Sequence, residues 1–332
     1  MARAAVGAVR NANRAVRDEL EPELDRDEQW YAEPPRPGRP ARRALTTEEL
    51  LVLCQESGLT ARSAQVCELA RTSLRLTRAE PASRAPARSR LGGTPDLPAG
   101  IEWPSWNDQD LAFLGQVDLA EAAALDRALP LPERGLLLFF YDAAAQPSGL
   151  APSHRGSCRV LHVGENPSRL ERTGADRVRL ADYPLELSLE LTLPRSWSFR
   201  VEALDLDPDE MTAWEDVREK LAIAQGVELE ELAPRWQSLH RLLGYPDELG
   251  SEMEVDCQLA SGGISVEAGE GFLDPRRQEL EAEAADWRLL LQLSDDKELG
   301  ASWGEDFGRL SMWIRERELR AGDFDGVWAI LR

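Results

Sequence analysis

The stretch LGGTPDLPAGIEWP, residues 91–104, decides how the chain around it can fold. It places three glycines and three prolines within fourteen residues. Proline removes a backbone donor and glycine weakens a helix interior, so this stretch is neither a helix nor a central strand. We interpret it as the turn that opens a β-rich unit, where glycine permits positive φ and proline restricts the path of the backbone.

Short apolar runs follow this turn, and their pattern predicts strands. LAFLGQVDL (111–119) and LLLFFYD (136–142) are bounded by proline and glycine and are too short for independent helices. In LELSLELTL (185–193), leucine alternates strictly with Glu, Ser and Thr, which is typical of a half-solvated antiparallel strand. Further strands are predicted at CRVLHV (158–163), WRLLLQLSDD (287–296), RLSMWIRE (309–316) and VWAILR (327–332).

Helix signals lie before and between these strands. A capping box at Thr46 begins one helix, and Thr60 is predicted to begin a second that ends near Arg71. Asp207, followed by proline, is predicted to cap a third helix. Leucine and tryptophan spacing then predicts that residues 229–243 are also helical.

Two parts of the chain repeat the same order of segments. LGGTP, LAFLGQVDL and GLLLFFYD follow one another in the first part, and LGYPDE, WRLLLQLSDD and GRLSMWIR in the second. Gln116 then corresponds to Gln292, and Gly135 to Gly308. The predicted fold class is α+β, mostly antiparallel β-sheet, with two similar halves, a helical insertion between them and an N-terminal helical extension.

Seven segments in order resemble the YwqG-like family, a bacterial domain of unknown function, over roughly residues 46–332. They are LGGTPDLPAGIEWP, LAFLGQVDL, LPERGLLLFFYD, HRLLGYPDE, WRLLLQLSDD, WGEDFGRLSMWIRE and FDGVWAILR. The resemblance implies a mostly antiparallel β fold with helical insertions and internal similarity between halves. It implies no established reaction.

The predicted organisation has an extension and one domain. Residues 1–44 form a helical or flexible extension, and residues 45–332 form the YwqG-like domain. Within the domain, half one spans about 91–200, a helical connection spans 207–243, and half two spans about 243–332.

The charge distribution argues against two classes of partner. The net charge is −21, whereas nucleic acids and anionic membranes require a basic face. No apolar run approaches the roughly 18 residues of a membrane span, and the start of the chain lacks the apolar region of a secretory signal. We therefore expect a cytoplasmic protein with no nucleic acid or membrane partner.

Gln116 and Gln292 are the main candidates for a binding site, because each is a polar amide within an apolar strand. One interpretation is that each glutamine bonds to the backbone of the neighbouring Gly-Pro turn, since an unpaired buried amide costs about 1–3 kcal/mol. The other is that both point into a central cleft and bind a polar ligand. Trp103, Trp303 and Trp106 would then form the walls of that cleft, although tryptophans at turns also fill cores.

Histidine, cysteine and acidic residues are the candidate metal ligands of this sequence. His154, Cys158 and His162 are spaced by four, but CRVLHV is predicted as a strand, which separates Cys158 and His162 by roughly 13 Å. His240 is interpreted as a residue near a helix end rather than as a base. We expect no metal site.

An acidic cluster near one loop offers the strongest case for chemistry. It consists of Asp295, Asp296, Glu305 and Asp306. Carboxylates can bind calcium, but SDDKE lacks the alternating ligand spacing of a calcium loop, so a solvated turn is the simpler interpretation. Asp306 is kept as a candidate binding residue.

The expected function is therefore a non-catalytic module that binds an unknown small molecule or protein, without a cofactor. No nucleophile, base and orienting group can be assembled from the sequence. Two alternatives stay open. One is an intracellular hydrolase with a carboxylate-based site, and the other is an antitoxin-like protein whose acidic surface blocks a basic partner.

Overall fold

The computed structural model describes seven ranges of the chain, which form an α+β fold. These ranges are 43–79, 88–98, 100–164, 178–227, 239–247, 252–304 and 308–332. Nearly all of the predicted extension over 1–44 lies outside them, and so do Glu305 and Asp306.

Twelve strands lie in the described residues, ten of them in one antiparallel sheet and two in a small hairpin. The first six are β1 (Arg71–Arg78), β2 (Arg90–Leu91), β3 (Ser105–Trp106), β4 (Gln109–Asp110), β5 (Ala112–Asp118) and β6 (Leu136–Tyr141). The others are β7 (Cys158–Val163), β8 (Tyr183–Thr192), β9 (His240–Leu243), β10 (Trp287–Ser294), β11 (Arg309–Arg315) and β12 (Trp328–Leu331).

Eight α-helices occur in the same residues. They are α1 (Thr47–Glu56), α2 (Ser63–Leu69), α3 (Leu119–Leu125), α4 (Phe199–Glu202), α5 (Pro208–Ala224), α6 (Met253–Ser261), α7 (Arg277–Glu281) and α8 (Glu316–Ala321). The capping box predicted at Thr46 and the helix cap predicted at Asp207 are both present, and Gly58 after α1 has a φ of 78°. None of these helices is both long and apolar enough to cross a membrane.

The strand order of the large sheet is β12-β11-β10-β9-β1-β8-β2-β5-β6-β7. The strands predicted from apolar runs occupy its two outer parts. β1 and β8 lie side by side at the centre, with Leu76 opposite Leu187. Every neighbouring pair is antiparallel.

The two faces of the sheet differ in polarity. One face carries the largest apolar cluster, which includes Leu114, Phe139 and Met312. The opposite face carries one apolar cluster around Phe140 and a separate one around Trp313. Adjacent residues such as Phe139 and Phe140 belong to different clusters because successive side chains of a strand point to opposite faces of the sheet. The central strands, between these two clusters, carry buried polar side chains.

Three sequence-based predictions need correction. Residues Thr60–Arg62 form a 3₁₀ turn, and the helix that follows ends at Leu69 because β1 begins two residues later. The helix predicted over 229–243 is wrong from His240 onward, where β9 begins, and residues 229–238 lie outside the described ranges. The strand over 185–193 is not half-solvated along its whole length, because Glu190 is buried.

Candidate functional site

Gln116 on β5 connects its strand to the turn that opens the first unit. Its Oε1 accepts a hydrogen bond from the backbone N–H of Asp96 at 2.9 Å. Its Nε2 donates to the carbonyl of Arg88 at 2.9 Å and to the carboxylate of Asp96 at 2.8 Å. Arg90 completes the group, with Nη2 donating to the Thr94 carbonyl at 2.6 Å and paired with Asp96 at 2.9 Å. We call these residues the Gln116 cluster.

Gln292 on β10 makes the same set of bonds to a second turn. Its Oε1 accepts from the backbone N–H of Asp247 at 2.8 Å, and its Nε2 donates to the Leu239 carbonyl at 3.0 Å and to the Asp247 carboxylate at 3.1 Å. Arg241 donates to the Tyr245 carbonyl at 2.8 Å and lies 3.2 Å from the Asp247 carboxylate. These residues, with Arg75 and Glu190, are called the Gln292 cluster.

The backbones of the two turns also match. Gly93 and Gly244 have φ values of 71° and 78°, and the residues before them, Gly92 and Leu243, have values of 62° and 64°. A Cβ at Gly244 would lie 2.6 Å from the Ser73 side chain, so the turn requires glycine there.

The strands that carry the glutamines match in a further detail. β5 and β10 each have an irregular register against the next strand, between Phe113 and Gly115 in one and between Leu289 and Leu291 in the other. Together with the hydrogen bonds described above, these features make the two settings alike. The hydrogen bonds confirm the interpretation that each glutamine bonds to the backbone of its neighbouring turn.

Charge distinguishes the Gln292 cluster from the Gln116 cluster. Glu190 on β8 accepts a hydrogen bond from Arg75 Nε at 2.7 Å and lies 3.1 Å from Arg241 Nε. Ser73 donates a further hydrogen bond to Glu190 at 3.2 Å. The side chains of Arg75 and Glu190 are each 4% exposed, so these charges interact in a poorly screened environment.

The two arginines decide the protonation state of Glu190. Burial would raise the pKa of this carboxyl, but the charges of Arg241 and Arg75 outweigh burial and hold its pKa below the ordinary value. Asp247 behaves in the same way, because Arg241 and Arg309 outweigh its burial and hold its pKa well below the usual range. Both carboxylates are therefore ionised at neutral pH.

The corresponding positions of the Gln116 cluster are apolar. Arg241 pairs across the sheet with Arg75, whereas Arg90 pairs with Pro184. Arg309 stands opposite Ser294 at the start of β11, and its Nη1 donates to the carbonyl of Asp247. At the matching place at the start of β6 stands Leu136.

Excess hydrogen-bond donors remain around the Gln292 cluster. Arg75 Nη1 is buried and has no hydrogen-bond partner. Arg71, two residues before Ser73 on the same strand face, lies with its guanidinium 4.3 Å from the centre of the Tyr245 ring. That guanidinium makes no hydrogen bond or ion pair with the residues that the structure describes.

The tryptophans predicted to wall a shared cleft lie apart. Trp103 contacts Phe140 edge-on, with ring centres 5.3 Å apart, and donates to the Leu111 carbonyl. Trp303 is buried and contacts Tyr141 at 6.1 Å. Since Phe140 and Tyr141 are consecutive in β6, these tryptophans pack on opposite faces of the sheet. Trp106 donates to the Arg155 carbonyl at 3.0 Å.

The histidines and cysteine considered as metal ligands each have another role. His154 accepts from the backbone N–H of Gly149, and His162 lies 3.0 Å from the Arg134 carbonyl. Cys158 is buried, and burial raises the pKa of its thiol to about 12. The strand predicted for CRVLHV is confirmed.

The two described carboxylates of the acidic cluster hold a turn together. Asp295 accepts from the backbone N–H groups of Trp303 and Gly308 at 2.6 and 3.2 Å. Asp296 accepts from the Tyr183 hydroxyl at 2.6 Å and lies 3.1 Å from His240 Nε2.

His240 is the buried first residue of β9, not a helix-end residue. Its Nδ1 accepts from the Ser294 backbone N–H, so Nε2 carries the proton and donates to Asp296. Burial opposes ionisation of Asp296, but the hydrogen bonds from His240 and Tyr183 outweigh it and hold the pKa of that carboxyl well below its usual range.

Fold and site together define an α+β domain with a ten-stranded antiparallel sheet and a buried charged cluster on its central strands. The chain belongs to the family described as a domain of unknown function, DUF1963, which it matches over residues 89–332. No curated protein matches the chain.

Sequence reasoning identified both glutamines but not the charges beside Gln292. β1 was not predicted, because arginines occupy positions 71 and 75 of the face that becomes buried. One available signal was that RLGGTPD (90–96) and RLLGYPD (241–247) share an arginine and an aspartate at the same spacing. Comparing these two segments would have found both Arg–Asp pairs.

Proposed function

We propose that this protein is a non-catalytic module that binds a small anionic ligand near the Gln292 cluster. The observation that carries the proposal is the excess of guanidinium donors at this place: within the part of the chain that the structure describes, Arg75 Nη1 has no hydrogen-bond partner and the guanidinium of Arg71 makes no hydrogen bond or ion pair. An unsatisfied buried donor costs about 1–3 kcal/mol, so an acceptor that fills it contributes directly to binding.

We further propose that the domain consists of two similar halves and that the binding role belongs to the Gln292 cluster and not to the Gln116 cluster. The support is the matching hydrogen bonds of Gln116 and Gln292 and the symmetric strand order, in which β2 and β9 occupy corresponding places on either side of β1 and β8. The YwqG-like resemblance, with its internal similarity between halves, agrees with this proposal.

A buried ion-pair network beside only one of the two glutamine clusters favours a function over a purely structural role. A buried ion pair is often replaceable by packed apolar residues with no loss of stability. The Gln116 cluster keeps its turn with Pro184 and Leu136 at the positions where the Gln292 cluster has Arg75 and Arg309. The extra charges are therefore not required by the turn itself.

The other proposals have weaker support. The hydrolase alternative depends on the acidic cluster, but Asp295 and Asp296 already accept backbone and side-chain hydrogen bonds. The antitoxin-like alternative rests on the net charge of −21 alone. A cytoplasmic location, and the lack of nucleic acid and membrane partners, stay predictions.

The experiment that tests the proposal is a thermal-unfolding screen of the full chain with small molecules grouped by charge. A ligand that binds only the native state raises the free energy of unfolding. Once the ligand concentration exceeds the dissociation constant, this increase grows with the logarithm of the concentration. We expect anionic molecules to raise the midpoint in a saturable way and neutral or cationic molecules to leave it unchanged. A response confined to neutral or cationic molecules, or chemical conversion of the bound anion, would contradict the proposal.

A further inference from the structure

The geometry points to a carboxylate-binding site formed by Arg71, Arg200 and the hydroxyl of Tyr245. This inference rests on the proposed function and specifies both its position and the class of its ligand. The three side chains come from β1, α4 and the turn after β9, so the ligand would join parts of the chain that are distant in sequence.

The Tyr245 hydroxyl is the first of two observations that carry this inference. Tyr245 is 3% exposed, and its hydroxyl is buried without a hydrogen-bond partner among the described residues. Buried tyrosine hydroxyls usually find a partner, and a missing one calls for an explanation such as a ligand. The main-chain groups of Tyr245 are satisfied, since its N–H donates to Thr192 and its carbonyl accepts from Arg241.

The guanidinium groups beside Tyr245 are the second observation. Arg71 lies over the Tyr245 ring and makes no hydrogen bond or ion pair with a described residue. Arg200 donates from Nη2 to the Ala285 carbonyl at 3.0 Å, and its buried Nε has no hydrogen-bond partner, although Glu254 lies 3.9 Å away. Arg71 thus stacks on the ring of a tyrosine whose hydroxyl also lacks a partner among the described residues, and the charge of Arg200 acts on the same hydroxyl.

The electrostatic surroundings agree with a missing anion. Burial, together with the nearby charges of Arg288 and Arg200, outweighs the opposing effects of Tyr245 and Glu254 and lowers the pKa of Arg71 to about 10. Burial raises the pKa of Glu254, and Arg200 only partly opposes this effect. Burial also raises the pKa of Tyr245, so its hydroxyl keeps its proton and can donate. A bound anion would relieve the repulsion between the guanidinium groups.

A carboxylate fits this arrangement better than a phosphate group does. It has two oxygens, which can accept from the guanidinium of Arg71 and from the Tyr245 hydroxyl, and its single charge matches Arg71, which makes no ion pair within the described residues. A doubly charged phosphate would stand near Glu254, which is already buried beside Arg200, and would be repelled by any ionised fraction of it.

The test measures the midpoint of thermal unfolding of the full chain against acetate concentration at constant ionic strength, with inorganic phosphate and chloride as the other arms. We expect acetate to stabilise the wild type in a saturable way and phosphate and chloride to do so more weakly. Tyr245→Phe removes only the hydroxyl and should raise the apparent Kd for acetate about fivefold, as expected for one neutral hydrogen bond.

Two further variants separate a binding role from a structural one. Arg71→Gln should raise the apparent Kd at least about tenfold, because it removes a charge-assisted hydrogen bond. Arg127→Gln is the matched control, since Arg127 is 78% exposed and pairs only at 3.6 Å with Glu133, and it should leave the acetate response unchanged. Tyr245→Phe should also fold at least as stably as the wild type, because it removes a buried unpartnered group.

Three results would overturn the site. They are an equal acetate response in wild type and Tyr245→Phe, stronger stabilisation by phosphate than by acetate, or no response to acetate at all. If Tyr245→Phe still responds as the wild type does to an anion found in the wider screen, this site is wrong and the proposed function stands. If no anion in that screen binds, the proposed function itself fails.

Discussion

The Gln116 cluster and the Gln292 cluster hold the same kind of turn in different surroundings. In both, a buried glutamine joins a strand to a Gly-Pro turn through the backbone N–H of an aspartate and a carbonyl on the other side of the turn. Only the second has a buried glutamate between two arginines. The hydrogen bonds that both clusters share are those that the turn requires. The buried ion pairs of Glu190 belong to the Gln292 cluster alone and are not required by the turn.

The largest expected effect comes from breaking the added charges. Glu190→Gln keeps the shape of the side chain but leaves Arg75 and Arg241 without a carboxylate between them. Removing one partner of a buried ion pair typically destabilises by about 3–5 kcal/mol, which chemical denaturation would measure. Glu186→Gln is the control, since Glu186 lies on the same face of the strand but near its exposed end, and it should change stability by less than about 0.5 kcal/mol. Equal effects would show that the buried network contributes no more than surface charge.

The next largest loss of stability is expected from removing the glutamine hydrogen bonds that both clusters share. Gln116→Leu and Gln292→Leu each leave a backbone carbonyl and an aspartate N–H without their partner, so each should destabilise by about 1–3 kcal/mol. Denaturant unfolding should show a lower midpoint with an unchanged slope in both variants. Near-neutral results for both would contradict a structural role for the glutamines.

A smaller effect should appear in the pH dependence of stability. The folded-state pKa of Glu190 is held below its ordinary value, so its contribution is present above the unfolded pKa and is lost as pH falls through the folded pKa. Asp247 contributes with the same sign. Wild-type stability should therefore fall below about pH 4.5, and Glu190→Gln should show a shallower fall over that range. An identical pH profile in the two proteins would contradict the lowered pKa of Glu190.

The sequence predicted the outer strands well because their side chains are apolar on both faces. LLLFFY became β6 and WRLLLQLS became β10, and the glutamines stood out because each interrupts such a run. The central strand β1 was not predicted. Its buried arginine and serine look like surface residues until Glu190 is brought opposite by the fold.

The candidate site was only partly predictable from the sequence, because its charged residues meet only when the chain folds. Gln292 could be selected from its own strand, whereas the roles of Arg71, Arg200 and Tyr245 depend on contacts between residues far apart in sequence. The predicted tryptophan-walled cleft is wrong, because Trp103 and Trp303 both lie beside turns in the sequence but pack on opposite faces of β6. Local patterns show the periodicity of burial, and they do not show which charges meet across a sheet.

The central claim is that both clusters hold turns but only the second serves a ligand. The most direct measurement is the acetate-dependent rise in unfolding midpoint in Gln116→Leu and in Gln292→Leu, each compared with its own midpoint without acetate. Gln292 holds the turn that carries Tyr245, so we predict that Gln292→Leu loses most of the acetate response and that Gln116→Leu keeps the wild-type response. Equal responses in the two variants would contradict the account.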